Sequence, residues 1–280
     1  AQAALAQVLA RSGEAERAAD LMADVYEQHG DNDRYAAFYA SLLRSNGKTE
    51  EALGVLAAQV NRAQAGNDIR MVYARFLVDA KRYEDARGEF ERIVTLDPDR
   101  ADVRYALGLL LIQTNHHAQA RPHFEHLLVL RQRVLSANFY LGQISEAQEK
   151  PDEAIRFYRR VDRGEQYLNA QVRVATIYAQ TGRLDRARQH LSAVRRGNTG
   201  DDIRLYRAEA ELLARNDRLD SAIEVFDVAL EAHPKNSDLL YARAMMAARA
   251  DRFDILERDL RDILSREPNN ADALNALGYT

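Results

Sequence analysis

The chain has 280 residues, 46% hydrophobic and 29% charged, so it can bury a sizeable core, and wholesale disorder is excluded. Its formal net charge of −4 divides evenly, two net negative charges on either side of residue 134, so neither half is basic enough to grip nucleic acid without sequence preference. The absence of cysteine removes disulfides, thiol nucleophiles and thiolate metal sites, and the longest apolar run, Tyr105 to Ile112, is too short to span a bilayer.

Ala supplies 46 residues, and Gly and Pro together only 18, which is a helix-forming composition. Taken in chain order, the sequence repeats itself. Ala18, Ala52, Ala86, Ala120 and Ala154 lie 34 residues apart, and Ala187, Ala222 and Leu256 follow at 33, 35 and 34. Twelve residues before each of these stands a small residue: Ala6, Ala40, Ala74, Gly108, Gly142, Ala175, Ala210 and Ala244, with Gly278 as a ninth. Two residues after the first eight of these comes an apolar one: Val8, Leu42, Phe76, Leu110, Ile144, Ile177, Leu212 and Met246. Four after the Ala18 series comes a large one: Met22, Leu56, Phe90, Phe124, Tyr158, Leu191, Phe226 and Leu260.

This spacing predicts two helices per period. In the third period Ile69, Tyr73, Phe76 and Leu77 recur at helical spacing, then Ala86, Phe90 and Ile93, with a break at Lys81-Arg82. Elsewhere the break carries Gly13, Gly47, Asn115, Gly182, Asp217 or Asp251, residues that tolerate the left-handed conformation ending a helix. Glu16, Glu50, Glu84, Asp152, Asp185, Asp220 and Asp254 then meet the positive end of the second helix. Pro98, Pro234 and Pro268 stop that helix, Pro151 opens one, and Pro122 falls inside one and predicts a bend. The small series predicts close helix crossing, Ala or Gly on the first helix facing Ala on the second. Gly108→Leu would overpack it at a cost of about 1–3 kcal/mol.

Leu107-Gly108, Leu111, Ala120 and Phe124 in one period, with Tyr206, Ala210, Ala222, Phe226 and Pro234 in another, resemble the tetratricopeptide (TPR) repeat. The resemblance covers essentially the whole chain. It lacks the early Trp of the family, and the closing Pro is missing from five of eight units. It implies an all-α solenoid of stacked helix-turn-helix units forming a right-handed superhelix. The expected organisation is a single solenoid fragment, 1–280, with units at 1–32, 33–66, 67–100, 101–134, 135–167, 168–202, 203–236 and 237–270 and a ninth begun at 271–280. The chain opens at Ala1 without a leader pattern and neither end carries a polar cap, which predicts further repeats at least on the C-terminal side. Arg195 to Asp202 is the least regular stretch and a candidate hinge.

Candidates for chemistry are few. Gly47-Lys48-Thr49 ends like a phosphate-binding loop, but Leu42 stands where its first Gly belongs and no strand precedes it, so it reads as a turn. His116, His117, His123 and His126 cluster in unit four, and His123 and His126 have a spacing that can share a metal. Their columns lie outside the buried series, so they read as a solvated face. No Ser–His–Asp set, HExxH or glycine-rich dinucleotide loop is present, and the chain is expected to be non-catalytic, without cofactor or metal. The family's peptide clamp needs Lys and Asn, whereas the matching positions read Met71, Arg75, Ala106, Ser136 and Tyr140, so the clamp is absent.

By the same resemblance the variable stripe of the first helices lines a concave groove. Its apolar and aromatic centre points to bound protein or peptide, and the groove residues expected to touch a partner are Met71, Arg75, Tyr105, Leu109, Ile112, Phe139, Gln143, Tyr241 and Met245. Tyr105→Ala with Phe139→Ala is expected to weaken binding while leaving melting nearly unchanged. A narrower resemblance rests on 35 Arg against four Lys, the Ala-rich units and the segment NNADALNALGYT. It is to TPR lipoproteins of proteobacterial outer membranes, among them adaptors that bind a periplasmic carboxy-terminal processing protease and present peptidoglycan hydrolases to it. That would imply a periplasmic location, a lipid anchor upstream of Ala1 and no other membrane contact. The alternative is an assembly scaffold of an exopolysaccharide secretion machine.

Overall fold

The computed structural model describes residues 2–62, 65–197 and 202–278. Among them are seventeen helices and no strand. In order these are α1 (Gln2–Arg11), α2 (Ala15–Gln28), α3 (Asp33–Ser45), α4 (Thr49–Val60), α5 (Asn67–Asp79), α6 (Tyr83–Leu96), α7 (Ala101–Gln113) and α8 (His117–Val129). Then come α9 (Val134–Ala147), α10 (Pro151–Tyr158), α11 (Tyr167–Gln180), α12 (Leu184–Gly197), α13 (Asp202–Arg215), α14 (Leu219–Ala232), α15 (Ser237–Arg249), α16 (Phe253–Arg266) and α17 (Ala271–Gly278). Odd-numbered helices are the first of each pair. The chain divides into two compact units, 1–137 and 138–280. The Arg195–Asp202 stretch has its middle, 198–201, outside the described residues, and Asp202 opens α13.

In both units the repeating columns form the core. Ala18, Ala52, Ala86 and Ala120 in the first unit and Ala154, Ala187 and Ala222 in the second are fully buried, as is the small series from Ala6 to Ala244 wherever it is Ala. The large series, Met22 to Leu260, is no more than 2% exposed. Val8 departs from its column at 62% exposed. Its counterpart Leu42 packs on Ala6, Ala18 and Met22 of the preceding helix pair, and α1 has no preceding pair in this chain.

Ala6 and Ala18, Ala175 and Ala187, and Ala210 and Ala222 share core clusters, whereas Gly108 and Gly142 of the small series have an aromatic ring as their nearest neighbour. A side chain added at Gly108 would meet the Phe124 ring at 2.7 Å, and one at Gly142 the Tyr158 ring at 2.7 Å. Glycine here makes room for an aromatic ring rather than for an alanine. In the first unit Ala74 and Phe90 occupy the same two columns, both buried, so a ring in this column does not by itself require glycine.

The connections follow local chemistry. Gly13, Gly47 and Gly182 have φ of +85°, +79° and +73°, and Asn115, Asp217 and Asp251 sit near +60° as their residue types allow. Lys81 (φ +60°) and Glu149 (φ +56°) fill the same role without the usual residue type. Pro151 opens α10, the acidic residues stand in the first turns of their helices, and α8 runs without interruption through Pro122. Asn32, Asn236 and Asn270 accept hydrogen bonds from the free N–H groups opening α3, α15 and α17.

Neighbouring pairs are stitched by polar links about one period long. Arg62 donates to the Gly30 carbonyl at 2.7 Å, Arg266 to that of Lys235 at 2.7 Å, and Arg100 to Asp68 at 2.6 Å. In a recurring column of the first helices, Arg70 donates to the Val60 carbonyl, Arg104 to that of Pro98 and Gln171 to that of Val161. Each satisfies an acceptor left open where the preceding helix ends.

Candidate functional site

The position two residues before the small series reads Phe38, Val72, Ala106, Tyr140, Arg173, Ala208 and Ala242 along the first helices. With Ala4 on α1 and Ala276 on α17 the column is complete, and α13, α15 and α17 carry alanine there in succession. Where α3 and α9 place an aromatic ring and α11 a guanidinium, α13 and α15 leave space, and the second unit opens there into a hollow of about 700 Å³. Leu168, Val172, Ala208, Ala242 and Met245 line it with apolar surface from α11, α13 and α15. Glu165, Arg204, Arg207, Glu211 and Arg249 are its charged lining residues. A second hollow of about 410 Å³ shares Arg207, Ala242 and Met245 and extends to Tyr241, Asp238 and Asp272.

Its charges are unequally satisfied. Glu211 accepts from Arg215 at 2.9 Å and lies 3.9 Å from Arg249, whose guanidinium also approaches the Met246 sulfur at 3.9 Å. Arg207 is exposed and makes no ion pair or side-chain hydrogen bond among the described residues. Three arginines and two glutamates line the larger hollow, and Asp238, Glu267 and Asp272 line the one that adjoins it, so together the two carry more carboxylates than guanidinium groups.

The sequence-predicted groove residues separate into two groups. Tyr241 and Met245 line the hollows. Met71 and Phe139 do not line an open surface: they are 4% and 7% exposed. Phe139 sits edge-on to Tyr158 at 5.6 Å and to Tyr140 at 5.4 Å, in a cluster with Ile155, Val174 and Ile177. Tyr105 is half-buried between the edge of Phe124 at 6.3 Å and the Arg133 guanidinium 4.5 Å from its ring centre. Leu109 and Ile112 are half-buried, and Arg75 and Gln143 are exposed. Glu146, a neighbour on the expected stripe, is tied inward by the Tyr158 hydroxyl at 2.5 Å and Arg173 at 3.0 Å. Burial and Glu146 together hold the Tyr158 phenol well above its ordinary range. The hollow-lining Leu168, Ala208, Ala242 and Arg249 were not anticipated. The signal present in the sequence is the run of alanines at 208, 242 and 276 after Tyr140 and Arg173 in the same column.

The histidine cluster also differs from a solvated face. His123 is half-buried, and its buried Nδ1 has no hydrogen-bond partner among the described residues. Burial and then the nearby Arg104 push its pKa down to about 4, with His126 adding to the shift and Glu91 opposing it. One period earlier the equivalent positions hold Arg70 and Glu89, which form an ion pair. Unit four thus keeps the arginine and replaces its carboxylate by an imidazole. His126 pairs with Asp99 at 2.8 Å. Among the described residues no group of three or more His, Asp or Glu is placed to hold a metal ion, and no helix is long and apolar enough to cross a membrane.

A family model described as tetratricopeptide repeat matches residues 105–167, 173–237 and 207–254, and another of the same description matches 77–132. A model described as anaphase-promoting complex, cyclosome, subunit 3 matches 14–93. A TPR repeat-containing protein of Pseudomonas aeruginosa is 39% identical over 145 residues, which are 52% of this chain and 25% of the relative. The chain therefore spans about a quarter of that curated relative's length. Among solved structures, a tetratricopeptide repeat protein from Parabacteroides merdae aligns with TM-score 0.53 and 14% identity over 99% of this chain and 96% of that one. Naa15/Naa10 bound to HypK-THB aligns with TM-score 0.53 and 17% identity over 97% of this chain and 42% of that one. MamA from Desulfovibrio magneticus gives 0.51 and 16% over 58% and 92%. At these identities the structural likeness speaks for the fold. The first of these family models covers more than half of the residues, in register with the helix pairs and their buried small-residue columns, and the chain belongs to the tetratricopeptide-repeat family.

Proposed function

We propose that this chain is a non-catalytic adaptor or scaffold that holds protein partners on the exposed faces of its first helices. The observation that carries this reading is the hollow on α11, α13 and α15, where Leu168, Val172 and Met245 form apolar surface open to solvent beside an unpaired arginine. A concave apolar surface with a few charged groups at its edge is the form that ligand sites take. Tyr241 and Met245 are the contact residues favoured by this geometry, with Arg75, Leu109, Ile112 and Gln143 as candidates on the first helices elsewhere. The narrower reading has a carboxy-terminal processing protease and its cell-wall hydrolase substrates as partners, at the periplasmic face of the outer membrane. It rests on the sequence resemblance, and the scaffold of a secretion machine is its alternative.

A pull-down from envelope and cytoplasmic extracts, comparing the wild type with Met245→Ser, tests this. Proteins retained by the wild type and lost by the variant are expected. A processing protease together with cell-wall hydrolases among them would favour the narrower reading, and secretion-machine subunits the alternative. Retention that is indifferent to Met245 would refute the assignment of this surface.

A further inference from the structure

The even division of net charge at residue 134 conceals a strong local imbalance. Residues 151–197, which hold α10, α11 and α12, carry ten arginines and five carboxylates, against 29 basic and 38 acidic residues in the rest of the chain. All but Arg173 stand on the second helices α10 and α12 or in the connections beside them. The two helices lie side by side. Arg183, just before α12, donates to Asp152 in the first turn of α10 at 2.8 Å, and farther along, burial and then the Arg159 guanidinium lower the pKa of His190 on α12. Arg156 and Arg159 occupy, one period earlier, the columns of Gln189 and Ser192. Those two line a hollow of about 510 Å³ together with Arg188, Arg195 and Arg196.

The carboxylates of this stretch do not cancel its arginines. Asp152 is taken by Arg183, Glu153 accepts from Ser145 at 2.9 Å, Asp162 pairs with Arg163, and Glu165 lines the hollow on α11, α13 and α15. Among the neighbours, Glu146 on α9 is held by Arg173, and Glu209 on α13 by Arg188 and Arg195. Asp185 is left facing the α12 hollow. Arg156, Arg159, Arg186 and Arg196 are exposed and make no ion pair or side-chain hydrogen bond among the described residues.

We propose that this face of α10 and α12 seats the chain on the surface of a bilayer carrying anionic phospholipids, its arginines against the headgroup phosphates. A guanidinium group meets a phosphate with two parallel N–H donors. Salt confines charge interactions to about 8 Å, so the local excess governs this contact although the whole chain is negative. The acidic remainder is repelled and fixes which side of the molecule faces the surface. Among the described residues of α10, α11 and α12 no large hydrophobic side chain is exposed, so the contact is made at the headgroups without insertion. No aromatic side chain is exposed there either, which leaves no platform for stacking a nucleic-acid base. The arginines also spread over two neighbouring helices, a broad footprint that suits a surface better than a single strand.

Co-sedimentation of the full chain with vesicles tests this. The expected result is retention on phosphatidylcholine vesicles containing about 30% phosphatidylglycerol, none on phosphatidylcholine alone, and release at an ionic strength of about 0.5 M. Arg156→Gln with Arg196→Gln should weaken retention by about tenfold or more, and the corresponding Glu pair by still more. Arg11→Glu with Arg34→Glu makes the same change of net charge as that Glu pair at exposed arginines of the first unit, and should bind like the wild type. Circular dichroism melting verifies that each variant remains folded. Failure to bind the anionic vesicles, retention that survives both the Gln and the Glu pair, or an equal loss in the Arg11 and Arg34 pair would overturn the proposal. So would tighter binding to duplex DNA at equal phosphate concentration, read by fluorescence anisotropy and lost with Arg156 and Arg196.

Discussion

At Gly142 a single hydrogen atom in place of a methyl group decides whether Tyr158 fits. The nearest ring atoms lie 2.7 Å from where a Cβ would stand, and the ring is fixed on its other side by Phe139 and by its hydroxyl bond to Glu146. Gly142→Ala should therefore lower stability by about 1–3 kcal/mol, read by chemical denaturation. Gly108→Ala should behave alike, and Phe124→Leu in the same chain should recover part of the loss, because Ala40 with Leu56 is a pairing the fold already uses. A Gly108→Ala variant as stable as the wild type would show that Phe124 has somewhere else to go. His123 makes a second prediction. An imidazole whose folded pKa is about 4, against an ordinary 6.5, binds fewer protons folded than unfolded between those values. Its contribution to stability is thus intact above pH 6.5 and is lost progressively as pH falls toward 4. Melting profiles across this window should be flatter for His123→Gln. His123→Glu should raise the melting temperature at pH 7 by giving Arg104 the partner that Arg70 has in Glu89.

For the helices and their connections, residue type and backbone conformation agree almost everywhere, and the exceptions are informative. Lys81 and Glu149 adopt left-handed φ of +60° and +56° at breaks where other units place Gly, Asn or Asp. Lys81→Gly or Glu149→Gly should raise stability by about 0.5–1 kcal/mol, since glycine pays no steric penalty there and the remaining contacts are unchanged. Thermal denaturation of each single variant measures it, and a loss of stability would mean that the side chain at the break contributes more than the strain it causes. The Asn caps act in the same local way. Asn236→Ala removes the acceptor for the Leu239 N–H and should cost about 1 kcal/mol. These helices were legible from their period and breaks because both are set by neighbours a few residues apart. The length of α8 through Pro122 was not, since one missing N–H is tolerated when the rest of the helix is packed through Ala120, Phe124 and Leu127.

For the molecule as a whole, the repeat makes each position a column, and a column's fate depends on the side chains beside it. The stripe predicted to bind partners is one set of columns, yet Phe139 in it is buried and Tyr241 is not. Phe139→Ala should consequently destabilise the chain by about 3–5 kcal/mol, in contrast to the unchanged melting expected from the stripe alone. Met245, half-buried at the edge of the second unit's core, should cost less stability than Phe139 when truncated, so Met245→Ser with its melting measured alongside is the cleaner probe of binding. The family, the all-α class, the helix pairs and the buried small and large series were determined by the sequence itself, because a strict period repeats the same short-range pattern until coincidence is excluded. Where the open surface lies was decided only by the tertiary structure. It depends on how the side chains of α11, α13 and α15, among them Leu168, Val172, Ala208, Ala242 and Met245, meet across helices. Those are relations between residues on different helices, and the pattern along one helix does not contain them.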